Sequence, residues 1–298
     1  MTWLASAITL LTLFAAANIH DAHMSLAAVR ARHAAIDLAG RVAVVVGGTS
    51  GIGAGIATRL AAGDASVVLV GRSKERADEV LAQMRAVSKT AVHSFVACDA
   101  SLLSSIPGVV TEFQKQHGHL DYLVLTQGIA TVQGRTETRE GLDVKMSLHY
   151  YSRVAFAEKF APLMKPGSRV LTVLSAGVHS PYAGFATEPE LKTSYSLSNA
   201  ANSAGFYNDI AVQALAAEHP GIAYVHAAPG VVNTNWSGAF IKQLACACLD
   251  RPRGSDYLSR LVHASPRTRF PPFPHACATY FHAYSHAGAR SCRWCFAG

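Results

Sequence analysis

VAVVVGGTSGIG, Val42 to Gly53, is a run of apolar and mostly β-branched residues that stops at a glycine-rich turn and continues into helical spacing. Val42 to Val46 show no polar alternation, the pattern of a parallel strand covered on both faces. Gly47, Gly51 and Gly53 supply positive φ where a turn needs it and omit the Cβ where a pyrophosphate would approach the backbone. Thr49, Ser50 and Ile52 are the other loop positions counted as ligand contacts. Ile52, Ile56 and Leu60 then recur at helical spacing, so the free N–H groups and the roughly +0.5 charge of a helix N-terminus would face the phosphates. A tight turn without a ligand also uses glycine, and the flanking segments have to decide between the two readings.

Outward from that stretch, Gly63 and Asp64 make a turn and Ser66 to Val70 a second buried strand. This closes a strand, helix, strand unit of about thirty residues. About twenty residues past the glycines, where an NAD-type site carries an acid on the ribose 2′-hydroxyl, this chain has Gly71-Arg72-Ser73. Arg72 offers a planar cation to a 2′-phosphate and no carboxylate is there to repel one, which favours NADP(H) over NAD(H). The competing reading of Arg72 is a solvated loop arginine. Ser73 suits the N-cap of a helix from Lys74 to Val87.

The alternation continues. Ala91 to Ala97 reads as a third strand, a helix runs from Ser105-Ile106-Pro107 to about Gln116, and Leu120 to Leu125 is a fourth strand. A long helix from about Leu142 to Met164 contains His149; Ser168 to Leu174 is a fifth strand, Tyr195 opens a helix to about His219, and Ile222 to Ala227 is a sixth strand. Strands and helices in this order predict an α/β fold: a doubly wound parallel sheet (Rossmann fold) of six or seven strands in a single domain, with a ligand along the carboxyl ends of the strands.

From about Arg41 to Trp236 the chain resembles the short-chain dehydrogenases/reductases, on several motifs in register. Gly47-x-x-x-Gly51-Ile52-Gly53 matches that family's cofactor loop TGxxxGIG, with Val46 in place of the threonine. Leu125-Thr126-Gln127-Gly128-Ile129 stands where the family has NNAGI, so Gly128 keeps the close backbone approach while Thr126 and Gln127 depart. Pro229-Gly230-Val231-Val232-Asn233-Thr234 matches PGxxxT. The resemblance implies that this last loop closes over the nicotinamide, with Thr234 on its carboxamide, and that Asp99 reaches the adenine ring; a helix cap is a compatible role for Asp99. His149 aligns with an asparagine that many relatives use in a proton relay, and a core or surface histidine is the alternative. The segments around His149, Tyr195 and Phe206-Tyr207-Asn208-Asp209 resemble fungal members, whose substrates often belong to secondary metabolism.

The resemblance also implies the catalytic set. Ser175, at the end of the fifth strand, would hold the substrate carbonyl or hydroxyl and steady its developing charge. Tyr195 would act as acid or base. The family signature is Tyr-x-x-x-Lys, because a phenol of pKa about 10 needs a nearby cation to exchange a proton near neutrality, and the lysine also binds the ribose. This sequence has Asn199 at that position. Asparagine can bond a ribose hydroxyl but carries no charge, and the neighbouring Lys192 is three residues before Tyr195. Two readings follow: an NADP-dependent oxidoreductase acting on a carbonyl or alcohol, or an impaired dinucleotide-binding protein, a sensor or decayed paralogue.

At 298 residues, half of them hydrophobic, the chain has enough apolar residues for one sizeable core. The formal net charge of +7 is concentrated late: residues 251 to 298 hold seven arginines against Asp256. The body of the protein therefore gives little support to a nucleic-acid partner, and a small-molecule substrate is expected. Three units are expected: residues 1–23, an apolar N-terminal segment; 24–240, the dinucleotide-binding and catalytic domain; and 241–298, an atypical tail rich in Cys, Arg and Pro. Trp3 to Ala17 lacks a basic flank and is short for a spanning helix. It reads as an anchor or signal, a docking helix, or an upstream extension of the gene reading, so the expectation is a cytoplasmic protein, with membrane contact only through residues 3–17 as the alternative. Asn235-Trp236-Ser237 is a formal sequon beside Thr234, read as chance. In the tail, Cys292-x-x-Cys295 with His275, His282 and His286 lacks a properly spaced partner pair, Cys246-x-Cys248 being too close, so no metal site is expected. The family resemblance leaves room for a homo-oligomer.

Overall fold

The computed structural model describes residues 26–230, together with 232 and 234. The apolar segment Trp3 to Ala17, the sequon at Asn235 and the tail expected from residue 241 lie outside the described residues.

Six strands, β1 (Val42–Val46), β2 (Ser66–Gly71), β3 (His93–Ala97), β4 (Leu120–Leu125), β5 (Met164–Val173) and β6 (Ala223–Ala227), form one sheet in the order β3-β2-β1-β4-β5-β6, every pairing parallel. The order reverses between β1 and β4, which opens a crevice at the carboxyl ends of the strands. β1 lies at the centre and all five of its residues are buried. That is why its apolar run has no alternation: Val44 and Val46 enter one core and Ala43 and Val45 the other.

The helices cover both faces. A short α1 (Leu26–Ala34) precedes the sheet, and α2 (Gly51–Ala62) and α3 (Lys74–Val87) pack on one face through Ala57, Ala61, Val80, Leu81 and Met84. The other face receives Ile106, Val109 and Phe113 of α4 (Ile106–Gln114), and Phe156 and Phe160 of a later helix. Phe113 meets Phe160 edge to face at 5.3 Å, the geometry the ring quadrupoles prefer.

Several expected boundaries differ. The single helix expected from Leu142 to Met164 is built as α5 (Val144–Met146), a π-helical turn (Ser147–Tyr151) and α6 (Ser152–Phe160). After a 3-10 turn over Ala161–Leu163, β5 begins at Met164 rather than at Ser168. Met164 pairs with Leu120, and the register then shifts so that Tyr122 meets Arg169. The last helix, α7 (Leu197–Glu218), starts two residues after Tyr195 because Ser196 is its N-cap, its hydroxyl accepting the Asn199 N–H at 3.0 Å. Among the described residues no helix is long and apolar enough to cross a membrane.

Candidate active site

A cleft of about 420 Å³ runs along the carboxyl ends of the central strands. It gathers Gly47, Thr49, Ser50, Gly51, Ile52 and Gly53 from the turn after β1, Arg72 after β2, Asp99 after β3, Gly128 after β4, His149 from the π-helical turn, and Pro229, Gly230 and Thr234 after β6. Gly47 has φ +78, and a Cβ there would come within 2.8 Å of Thr126 Oγ1 and the Gln127 nitrogen; one on Gly53 would come within 2.4 Å of the Gly47 carbonyl. The turn therefore folds back directly on the first turn of α2, leaving its amides at the cleft. Thr126, one of the two departures from the family pattern at this strand end, ties the floor together by donating Oγ1–H to the Val46 carbonyl at 2.8 Å.

Arg72 is joined on the cleft wall by Arg76, which sequence reasoning missed although it stands one helical turn further on. Both are exposed. Ser73 between them is the expected N-cap of α3, its hydroxyl accepting the Arg76 N–H at 3.3 Å. Asp99 accepts from the Ser101 N–H at 3.0 Å and the Ser101 hydroxyl at 2.7 Å, a local turn contact and not the helix cap that the sequence left open, since Leu102 and Ser105 stand at the N-caps of the helical turns that follow.

His149 is held deep in the cleft wall, its Nε2 accepting the Ile129 N–H at 3.0 Å. That bond requires the neutral ring, and burial, reinforced by the positive charges of Arg153 and Lys145, pulls its pKa down to about 3. Arg153 is the second residue that the sequence hid. Its side chain is buried beneath the cleft and donates to the carbonyls of Leu125, Gln127 and Val173 at 3.2, 2.6 and 3.0 Å and to Thr172 Oγ1 at 2.6 Å.

Ser175, Tyr195 and Asn199 are not in the cleft lining. Ser175 follows Leu174, which does line it. The Tyr195 hydroxyl is buried with no hydrogen-bond partner among the described residues. Burial and then the charge of Asp143 push the Tyr195 pKa up to about 12, against an opposing pull from Arg135. A cation does approach it, though from α5: Lys145 Nζ lies 5.4 Å from the ring centroid. Lys192 instead pairs with Glu190 at 2.6 Å on the surface. Asn199 turns its amide on its own neighbourhood, Nδ2 donating to the Ser194 carbonyl at 2.7 Å.

The sequence model of the family described as short chain dehydrogenase matches residues 41–244. The chain belongs to the short chain dehydrogenase family. The chain is 31% identical over 217 residues to Oxidoreductase AN1596 of Emericella nidulans, covering 71% of this chain and 65% of that one. It is 30% identical over 202 residues to the NmrA-like family domain-containing oxidoreductase notO of an Aspergillus species, covering 66% and 61% respectively. The chain thus spans less than two thirds of these relatives' length. Its fold is also that of a short chain dehydrogenase from Burkholderia cenocepacia solved in complex with NADP, with a TM-score of 0.55 and 24% identity over 67% of this chain and 77% of that one.

Proposed function

We propose that the chain is an NADP-preferring oxidoreductase that moves a hydride between the cofactor and a carbonyl or alcohol group of a small molecule. The observation that carries this reading is that Arg72 and Arg76 both line the cleft whose floor is the glycine turn after β1. Two arginine forks in one wall suit a 2′-phosphate in a way that a ribose hydroxyl does not need. The absence of Cβ atoms at Gly47 and Gly53 leaves the backbone where a pyrophosphate would lie against the α2 amides. In this reading Asp99 lies toward the adenine, while Pro229, Gly230 and Thr234 close over the nicotinamide, which when bound supplies or takes up the hydride. The NADP named with the Burkholderia structure agrees with this choice. The fungal relatives make secondary metabolism the first source of substrates to test.

Ser175 would hold the substrate oxygen and Tyr195 would exchange its proton, with His149 as a neutral ring in the cleft wall. A phenol pushed to a pKa of about 12 stays protonated through the neutral range and is a weaker acid than an ordinary tyrosine, so proton exchange near neutrality calls for a cation beside it when the cofactor and substrate are bound.

A second reading, an impaired dinucleotide-binding protein, is favoured by Asn199, whose amide is already committed to the Ser194 carbonyl. The two readings part in one experiment: fluorescence titration with NADPH and NADH, followed by NADPH consumption against ketones, aldehydes and quinones. Tighter NADPH binding with turnover supports the reductase. Binding without turnover, with activity gained on Asn199→Lys, supports the impaired enzyme, and failure to bind either dinucleotide overturns both.

A further inference from the structure

The Ser175 amide does not continue the parallel ladder. Leu174 N–H closes the last backbone rung on the Ala227 carbonyl at 2.9 Å, and the next amide, Ser175 N–H, donates to His226 Nε2 at 3.1 Å. His226 stands in β6 opposite Thr172, and its side chain is 2% exposed. Because Nε2 accepts, the ring proton is on Nδ1, which donates to Asp209 Oδ1 of α7 at 2.7 Å. The same carboxylate accepts the Gly177 N–H, at 3.1 Å on Oδ2 and 3.3 Å on Oδ1. Two amides of Ser175-Ala176-Gly177 are therefore gripped by one His–Asp pair mounted on a neighbouring strand and helix. Gly205, one turn before Asp209, keeps the helix surface low at this point: a Cβ there would come within 2.9 Å of Ser175 Oγ and 2.3 Å of His179 Cδ2.

We infer that Asp209 and His226 are positioning residues for Ser175, the imidazole setting the register of the turn that carries it and the carboxylate setting the imidazole tautomer. The inference rests on the proposed role of Ser175 in holding the substrate oxygen. It also makes the grip sensitive to acid, because a proton on Nε2 would set N–H against N–H and release Ser175. Asp209 on α7 favours that proton; burial disfavours it most, and Arg153 of α6 and His179 of the loop after β5 add to the opposition. The net shift is downward, so the grip is complete above the ordinary histidine range and is lost as pH falls below it.

The test compares wild type, His226→Asn and Asp209→Asn in the full chain with NADPH, using isatin as the carbonyl probe. NADPH affinity is expected to stay within about twofold while kcat falls roughly 10- to 100-fold, the scale of a small misplacement of a reacting group. The acid limb of the wild-type kcat profile should be missing from His226→Asn, and amide exchange of residues 174–178 should be faster in both variants. Wild-type kcat and acid limb in both variants would overturn the inference. If His226→Asn does not fold, Asp209→Asn decides alone, since its amide must turn an NH₂ toward either His226 or Gly177. If wild type binds NADPH but leaves isatin unreduced, the ketones, aldehydes and quinones judge the reductase reading and amide exchange still judges the grip. Exchange that is accelerated by acid in wild type and fast at every pH in His226→Asn supports it, and identical exchange in all three proteins overturns it.

Discussion

Arg153 carries a full positive charge with no carboxylate paired to it among the described residues. Burial lowers its pKa to about 9, which still leaves it charged at neutrality. What compensates the lost water is a ring of carbonyl dipoles at the ends of β4 and β5. Replacing it with Met would leave those carbonyls buried and unpaired, at about 1–3 kcal/mol each, so Arg153→Met should lower stability by about 3 kcal/mol or more in urea unfolding. By contrast, Asp78→Asn breaks an ion pair to Lys74 in which both side chains are more than half exposed; its cost should stay below about 0.5 kcal/mol in the same assay. His149 makes a prediction in pH. Its folded pKa of about 3 lies below the unfolded value of about 6.5. The stability it contributes is therefore whole above about pH 6.5 and drains away as pH falls toward 3. Asn at this position keeps an acceptor for the Ile129 N–H without titrating, so between neutrality and about pH 4 wild type should lose roughly 3 kcal/mol more than His149→Asn. Equal losses in denaturant titrations at the two pH values would rule out the buried neutral ring.

At the scale of elements, α7 depends on how it begins. The Ser196 hydroxyl accepts from the Asn199 amide in its first turn, and losing such a cap costs about 1 kcal/mol. Ser196→Ala should show that loss in chemical unfolding, together with faster amide exchange over the first turn and unchanged exchange near Leu215. The same cap shows where sequence reading stops. The family spacing carried Tyr195 to the helix start, but a serine one residue later ends the extended segment and leaves the tyrosine outside the helix. β1 and its glycine turn were legible because every determinant is local: a both-face apolar run and three glycines. The π-helical turn at Ser147–Tyr151 was not, since its extra residue leaves apolar spacing continuous with the helices on either side. The start of β5 was hidden for a related reason: Lys165, Pro166 and Gly167 look like a loop, yet Met164 ahead of them is paired to Leu120 through a register shift. Arg153 and the Asp209–His226 pair were invisible in principle, because their partners lie far away in sequence and no short-range pattern encodes them.

For the whole molecule, the decisive feature is that one cleft is lined from the ends of most strands of the sheet, so a ligand there binds the folded chain and has little to hold in the unfolded one. A dinucleotide at about a hundred times its dissociation constant then adds about 2.7 kcal/mol, which for a domain of this size is a rise in Tm of about 5–10 °C. On the proposed reading NADPH gives that rise at lower concentration than NADH. The double variant Arg72→Ala, Arg76→Ala separates the two terms: both side chains are exposed, so the unliganded protein should melt within about a degree or two of wild type. With NADPH, its Tm rise should shrink to the size seen with NADH, and the NADH rise should stay as it was. Salt supplies an independent check on the same physics. Charges at an exposed rim are screened, whereas the amides of the α2 turn act at contact with the pyrophosphate. Raising ionic strength should therefore erode the NADPH advantage of wild type and leave the double variant nearly unaffected; an advantage that survives both the substitutions and the salt would place the cofactor preference somewhere other than this pair of arginines.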